Sequence, residues 1–79
     1  MSYERRVGAF VKKERAKSNL SYAAFARKLG ISHTTLSRIE SNQQGISLKL
    51  LQSILRGLNA SLQDIIGADE VVRKHGRRG

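Results

Sequence analysis

An all-α fold of five short helices is what the sequence predicts, and three observations lead there. Four serines each follow an apolar or small residue and precede another apolar residue by four positions: Leu20-Ser21…Phe25, Ile31-Ser32…Leu36, Ile46-Ser47…Leu51 and Ala60-Ser61…Ile65. Between these points the apolar residues recur at helical spacing. No stretch alternates with period two for long enough to make a strand.

The serine pattern is that of a helix start. A Ser at the N-cap accepts a hydrogen bond from a free backbone N–H of the first turn, and the residue before it packs against the fourth helical position as a hydrophobic staple. The four serines are spaced by 11, 15 and 14 residues, a beat of short helices. The first helix lacks such a start but has the periodicity: Tyr3, Val7, Phe10, Val11 and Glu14 share one face, with Arg5, Arg6, Lys12, Lys13 and Lys17 on the remainder. It is placed at about 3–18. The second runs over about 22–29 and ends at Gly30, a suitable left-handed stop. The third covers about 33–41, followed by Asn42, which tolerates the same conformation. The fourth covers about 48–58, with Leu48, Leu51, Ile54, Leu55 and Leu58 on its apolar stripe, and the fifth about 62–66, closed by Gly67.

With 79 residues the chain has room for one core. Residues 1–67 are read as the folded domain and 68–79 as a basic C-terminal tail, whose last residues, His75 to Gly79, are expected to be disordered. There is no Cys, so neither a disulfide framework nor a thiolate zinc site is available. His33 and His75 lie far apart, and no metal or other cofactor is expected. No apolar run reaches the roughly 20 residues of a membrane span, and Met1 to Lys17 lacks a signal-peptide core. A cytoplasmic, nucleoid-associated protein is the expectation. Catalysis has no visible basis: there is no nucleophile with its base, no Gly-rich phosphate loop and no close carboxylate pair.

The formal net charge is +9, an excess that suits duplex DNA, RNA or an anionic surface. It is uneven. Residues 1–30 hold eight Lys/Arg against Glu4 and Glu14, a balance of +6, while residues 31–67 hold Arg38, Lys49 and Arg56 against Glu40 and Asp64, only +1. A partner of the middle segment would be recognised by shape and hydrogen bonds as well as by charge.

Gly30-Ile31-Ser32 between two short helices is the three-residue corner of a helix-turn-helix. Phe25, Leu29, Ile31, Leu36 and Ile39 can meet inside it, and Ala26 stands where the helices must approach closely. The run from Leu20 through Ala26-Arg27-Lys28-Leu29-Gly30 to Leu36-Ser37-Arg38-Ile39-Glu40, continued by Ser47-Leu48 and Leu58-Asn59-Ala60-Ser61-Leu62, resembles the phage-repressor (Xre/Cro) helix-turn-helix family. The resemblance covers about residues 6–67. It implies a compact five-helix, lambda-repressor-like domain that binds operator DNA, usually as a homodimer. The family often has Gln where this chain has Tyr22, Gly where it has Asn42, and Pro where it has Ile46.

In such a motif the second helix of the pair enters the major groove and the first crosses the backbone. With Leu36 and Ile39 turned inward, His33, Thr34, Ser37 and Arg38 are the candidate base contacts. Arg38 can fork onto guanine O6 and N7, and Thr34 can offer a hydroxyl or a methyl. His33 either donates to a purine N7 or a phosphate, or is an ordinary exposed histidine. Candidate phosphate contacts are Ser21 and Tyr22, at a helix N-terminus that attracts anions, and Asn42, Gln43 and Gln44. Tyr22 has the alternative of packing back on the first helix. The resemblance aligns Arg15 and Glu40 with a structural ion pair joining the first helix to the third. The reading is therefore a sequence-specific regulator on double-stranded DNA, a homodimer on a palindromic operator, paired through the fifth helix and Val71-Val72. Phage repressor, restriction–modification controller and antitoxin all remain open within it. The rival is an antitoxin or adaptor module whose main partner is a toxin or other protein. A membrane-surface peptide would leave the capped corner unexplained.

Overall fold

The computed structural model describes residues 3–66. The basic tail, Gly67 and Val71-Val72 fall outside the described residues. Helices α1 (Tyr3–Ser18), α2 (Tyr22–Leu29), α3 (His33–Glu40) and α4 (Leu48–Leu58) are followed by a fifth, α5, at 62–66. Among the described residues there is no strand. No described helix is long and apolar enough to cross a membrane.

Local chemistry sets these boundaries. The Ser21, Ser32 and Ser47 hydroxyls each accept from the backbone N–H three residues on, at Ala24, Thr35 and Leu50, over 3.0–3.1 Å. Ser61 is different. Its own backbone N–H and its hydroxyl both donate to the Asp64 carboxylate, at 2.8 and 3.3 Å, so the carboxylate rather than the serine oxygen does the capping. The negative charge also sits well at the positive end of a helix. The staple residues Ile31, Ile46 and Ala60 are half-buried, whereas Leu20 stays 42% exposed.

Three helices stop by one device. Gly30, Asn42 and Asn59 take the left-handed conformation, with φ of 72°, 62° and 52°. In each case this residue and the next donate back into the last turn: Gly30 and Ile31 to Arg27 and Ala26, Asn42 and Gln43 to Ile39 and Arg38, Asn59 and Ala60 to Arg56 and Leu55. Carbonyls that would otherwise lack a donor are thereby satisfied.

α1 packs chiefly on α3 and α2 on α4, around a core in which Val7, Val11, Phe25, Leu36 and Ile54 have no exposed surface. Ala26, Leu29, Ile39, Leu51 and Ile65 complete it. The stripe expected on α4 needs one correction. Leu48 is 70% exposed, and Leu50 packs on the core instead. At 100° per residue Leu48 lies about 120° around the helix from Ile54, while Leu50 lies only about 40° away.

Both helix crossings depend on glycine, which the sequence reading did not single out. A Cβ on Gly8 would lie 2.5 Å from the Ile39 carbonyl oxygen, and one on Gly57 would lie 2.6 Å from that of Lys28. The bare backbone of α1 thus sits against the end of α3, and that of α4 against the end of α2. Arg6 reaches from α1 to the Ile66 carbonyl at 3.0 Å and ties the fifth helix down.

Candidate nucleic-acid interface

The corner Gly30-Ile31-Ser32 turns the chain so that α3 lies on the body by Leu36 and Ile39, which are 0% and 1% exposed. The helical period then leaves His33, Thr34, Ser37 and Arg38 on the outside, and all four are exposed. Arg38 has no acidic partner among the described residues. Thr35, between the two faces, is half-buried and occupied locally, its hydroxyl accepting from Ser32 at 2.9 Å. At the far end the Ser41 hydroxyl donates back to the Ser37 carbonyl at 2.9 Å.

The N-termini of three helices gather at this side. The first residues of α2 and α3 touch: the Tyr22 and His33 rings meet edge to face with centroids 4.6 Å apart. Ser32 at the start of α3 and Ser47 at the start of α4 line one open depression, together with Thr35, Gln44 and Lys49. Each N-terminus leaves backbone N–H groups without a helical partner and carries a partial positive charge. A second open depression is lined by Glu4, Arg5, Asn42, Gln43, Gln44 and Gly45. Asn42 and Gln43 are exposed, Gln44 half-buried, and Ser21 exposed while capping α2. The sequence reading missed Ser47 and Lys49 here, although the third serine cap already marked the N-terminus to which they belong.

Behind this surface Arg15 of α1 forks onto Glu40 of α3, Nε to Oε2 at 2.8 Å and Nη2 to Oε1 at 3.0 Å. The Glu40 side chain is 9% exposed and that of Arg15 28%. Hydrogen bonding to Glu40, reinforced by its charge, raises the Arg15 guanidinium above its ordinary range against the opposing cost of burial. Arg15 also lies over the Tyr22 ring, its Cζ 5.0 Å from the centroid. Tyr22 therefore leans toward α1 and is half-buried between Arg15 and His33. No group of three or more metal-ligating side chains occurs among the described residues.

This arrangement can present hydrogen-bonding side chains from a rigid helix to a groove and anchor backbone anions on either side. The chain is similar to known proteins in sequence and in fold. The family model described as helix-turn-helix matches residues 11–65. The chain is 35% identical over 66 residues to the antitoxin PezA of Streptococcus pneumoniae, a match covering 84% of this chain and 42% of that protein's length. It is 35% identical over 60 residues to an uncharacterized HTH-type transcriptional regulator of Archaeoglobus fulgidus, covering 76% of this chain and 84% of the other. Among solved structures, the restriction-modification controller protein C.Esp1396I superposes with a TM-score of 0.69 at 27% identity, over 84% of this chain and 86% of that one. A single-residue variant of the same controller gives 0.70 at 23% identity over 99% of this chain and 98% of the other, a likeness of fold. The match of the family model to the corner and to the helices on both sides of it places the chain in the helix-turn-helix family, of the Xre/Cro type.

Proposed function

We propose that the chain is a sequence-specific regulator that binds a palindromic operator as a homodimer, with α3 in the major groove. His33, Thr34, Ser37 and Arg38 read base edges. Phosphates are held at the N-terminus of α2 by Ser21 and the free N–H of Tyr22, and beyond α3 by Asn42, Gln43 and Gln44. Lys49, beside the N-cap of α4, adds a further cation. Arg15 and Glu40 hold α1 to α3 and touch no base. Residues 1–67 form the DNA-binding domain, and 68–79 a basic tail.

The observation that carries this reading is the division of α3. Its inward residues are buried, and its outward residues are exposed and polar and include a cation, Arg38, with no acidic partner among the described residues. α3, with eight residues, is roughly 12 Å long, which suits a groove about 12 Å wide.

Selection of bound duplexes from a random pool tests it. Two related half-sites about one helical turn apart are expected. Arg38→Ala should cost about 1–3 kcal/mol on the selected site and relax preference at one base pair. Equal weakening on every sequence would move Arg38 to the phosphate-contacting set. A log–log salt slope near −5 is expected if about six phosphates are neutralised.

The second reading, an antitoxin whose main partner is another protein, draws on the similarity to PezA, of whose length the match covers 42%. It predicts a protein complex that survives salt high enough to release DNA.

A further inference from the structure

We infer that Tyr22 is a positioning residue for base readout, its ring fixing His33 before DNA arrives, and that this support runs back through Arg15 to Glu40. The inference rests on the DNA-reading function proposed above.

The contacts form one unbroken line. The Glu40 carboxylate holds the Arg15 guanidinium by two hydrogen bonds of 2.8 and 3.0 Å. That guanidinium lies 5.0 Å from the centroid of the Tyr22 ring. The ring in turn meets His33 at 4.6 Å with 61° between the planes, the edge-to-face geometry that aromatic pairs favour. Three helices contribute: α1 gives Arg15, α2 gives Tyr22, and α3 gives both ends, Glu40 and His33. α3 is thus gripped near both termini through a residue of each neighbour.

His33 has an exposed position at the first turn of α3, where a side chain would otherwise sample several rotamers. A side chain already held in one orientation loses less freedom on binding, and its selectivity for one base edge sharpens. Tyr22 is suited to the role because it is half-buried against the core on one side while its ring meets His33 on the other. What the ring supplies is shape. Its hydroxyl is not required.

Five proteins decide the matter: wild type, Tyr22→Phe, Tyr22→Leu, His33→Ala and the Tyr22→Leu/His33→Ala double variant. Affinity is measured at one salt concentration for the selected duplex and for a duplex altered at the base pair whose preference His33→Ala abolishes. Tyr22→Phe should keep both affinity and preference. Tyr22→Leu should lose about 2- to 10-fold on the selected duplex, the range of an aromatic pair, with little change on the altered one. The double variant should be no worse than His33→Ala alone. Proton NMR of the free proteins provides a readout without DNA. The His33 ring protons should show a ring-current shift that persists in Tyr22→Phe and vanishes in Tyr22→Leu while the dispersion of core signals is retained. Uniform loss on both duplexes in Tyr22→Phe would make the tyrosine a phosphate anchor through its hydroxyl and overturn the inference. So would additive effects in the double variant, or a preference that survives Tyr22→Leu intact. A wild-type protein with no preference among duplexes would overturn the proposed function, and this inference with it.

Discussion

The two faces of α3 obey different rules. Leu36 and Ile39 sit in a core that leaves them 0% and 1% exposed, next to Phe25 and Leu29 from α2. His33, Thr34, Ser37 and Arg38 interleave with them along the same eight residues and are exposed. On the inner face every methyl group has neighbours, so residue identity is dictated by the fold. On the outer face folding is nearly indifferent to identity, because exposed substitutions away from caps change stability by about 0.5 kcal/mol or less. Polar groups that are costless to the fold and carried on a rigidly packed helix are free to be chosen by what they touch. The contrast is sharpest between Leu36 and Ser37, adjacent in sequence and opposite in environment.

The largest expected effect tests the inner face. Leu36→Ala removes a fully buried side chain from the junction of α2 and α3. A loss of about 2–5 kcal/mol follows from transfer and cavity terms together. In a domain this small each kcal/mol lowers Tm by about 4–8 °C, so thermal denaturation followed by circular dichroism should show a large drop, or no folded baseline at all. Ser37→Ala, measured in the same way, should barely move. If the two behaved alike, the division of α3 into a structural and a free face would be lost.

A smaller effect tests how α1 holds α3 in place. In an open helix Gly→Ala gains about 1 kcal/mol. At Gly8 the added Cβ would meet the Ile39 carbonyl oxygen at 2.5 Å and the Asn42 side chain at 3.2 Å. Backbone cannot yield as a flexible side chain can. Gly8→Ala should therefore lose about 1–3 kcal/mol, the range for overpacking, which reverses the sign expected from propensity. A gain in Tm would show that α1 can shift off α3 and that the packing at their crossing is loose.

What was legible in the sequence follows the same division. Helix boundaries could be read because caps are local: Ser21, Ser32 and Ser47 act on N–H groups three residues away, and Gly30 and Asn42 close their helices by their own φ. The outward set on α3 could be read because its period follows from Leu36 and Ile39. Features decided between helices were not legible. Gly8 and Gly57 look like ordinary glycines until the opposing carbonyl is in view. The role of Ser61 depends on whether Asp64 turns back, which composition does not say. Tyr22 had two possible directions, and its contact with Arg15 and His33 arises only when three helices are assembled. Lys49 comes beside Ser32 only because α4 starts next to α3.

The smallest expected effect concerns Leu48, where periodicity alone misleads. The residue is apolar, lies at the first position of α4, and is 70% exposed, while Leu51 and Ile54 behind it are buried. In an isolated domain Leu48→Gln should change stability by no more than about 0.5 kcal/mol, since little apolar surface leaves or enters water. Chemical denaturation at two protein concentrations separates the possibilities. Equal, near-zero changes at both would make Leu48 a solvated surface residue with the same freedom as the outer face of α3. A loss that grows with concentration would mean that a second copy covers it, because association stabilises only the protein that can associate. Leu48 would then belong with Leu36, its identity set by packing, but packing between molecules.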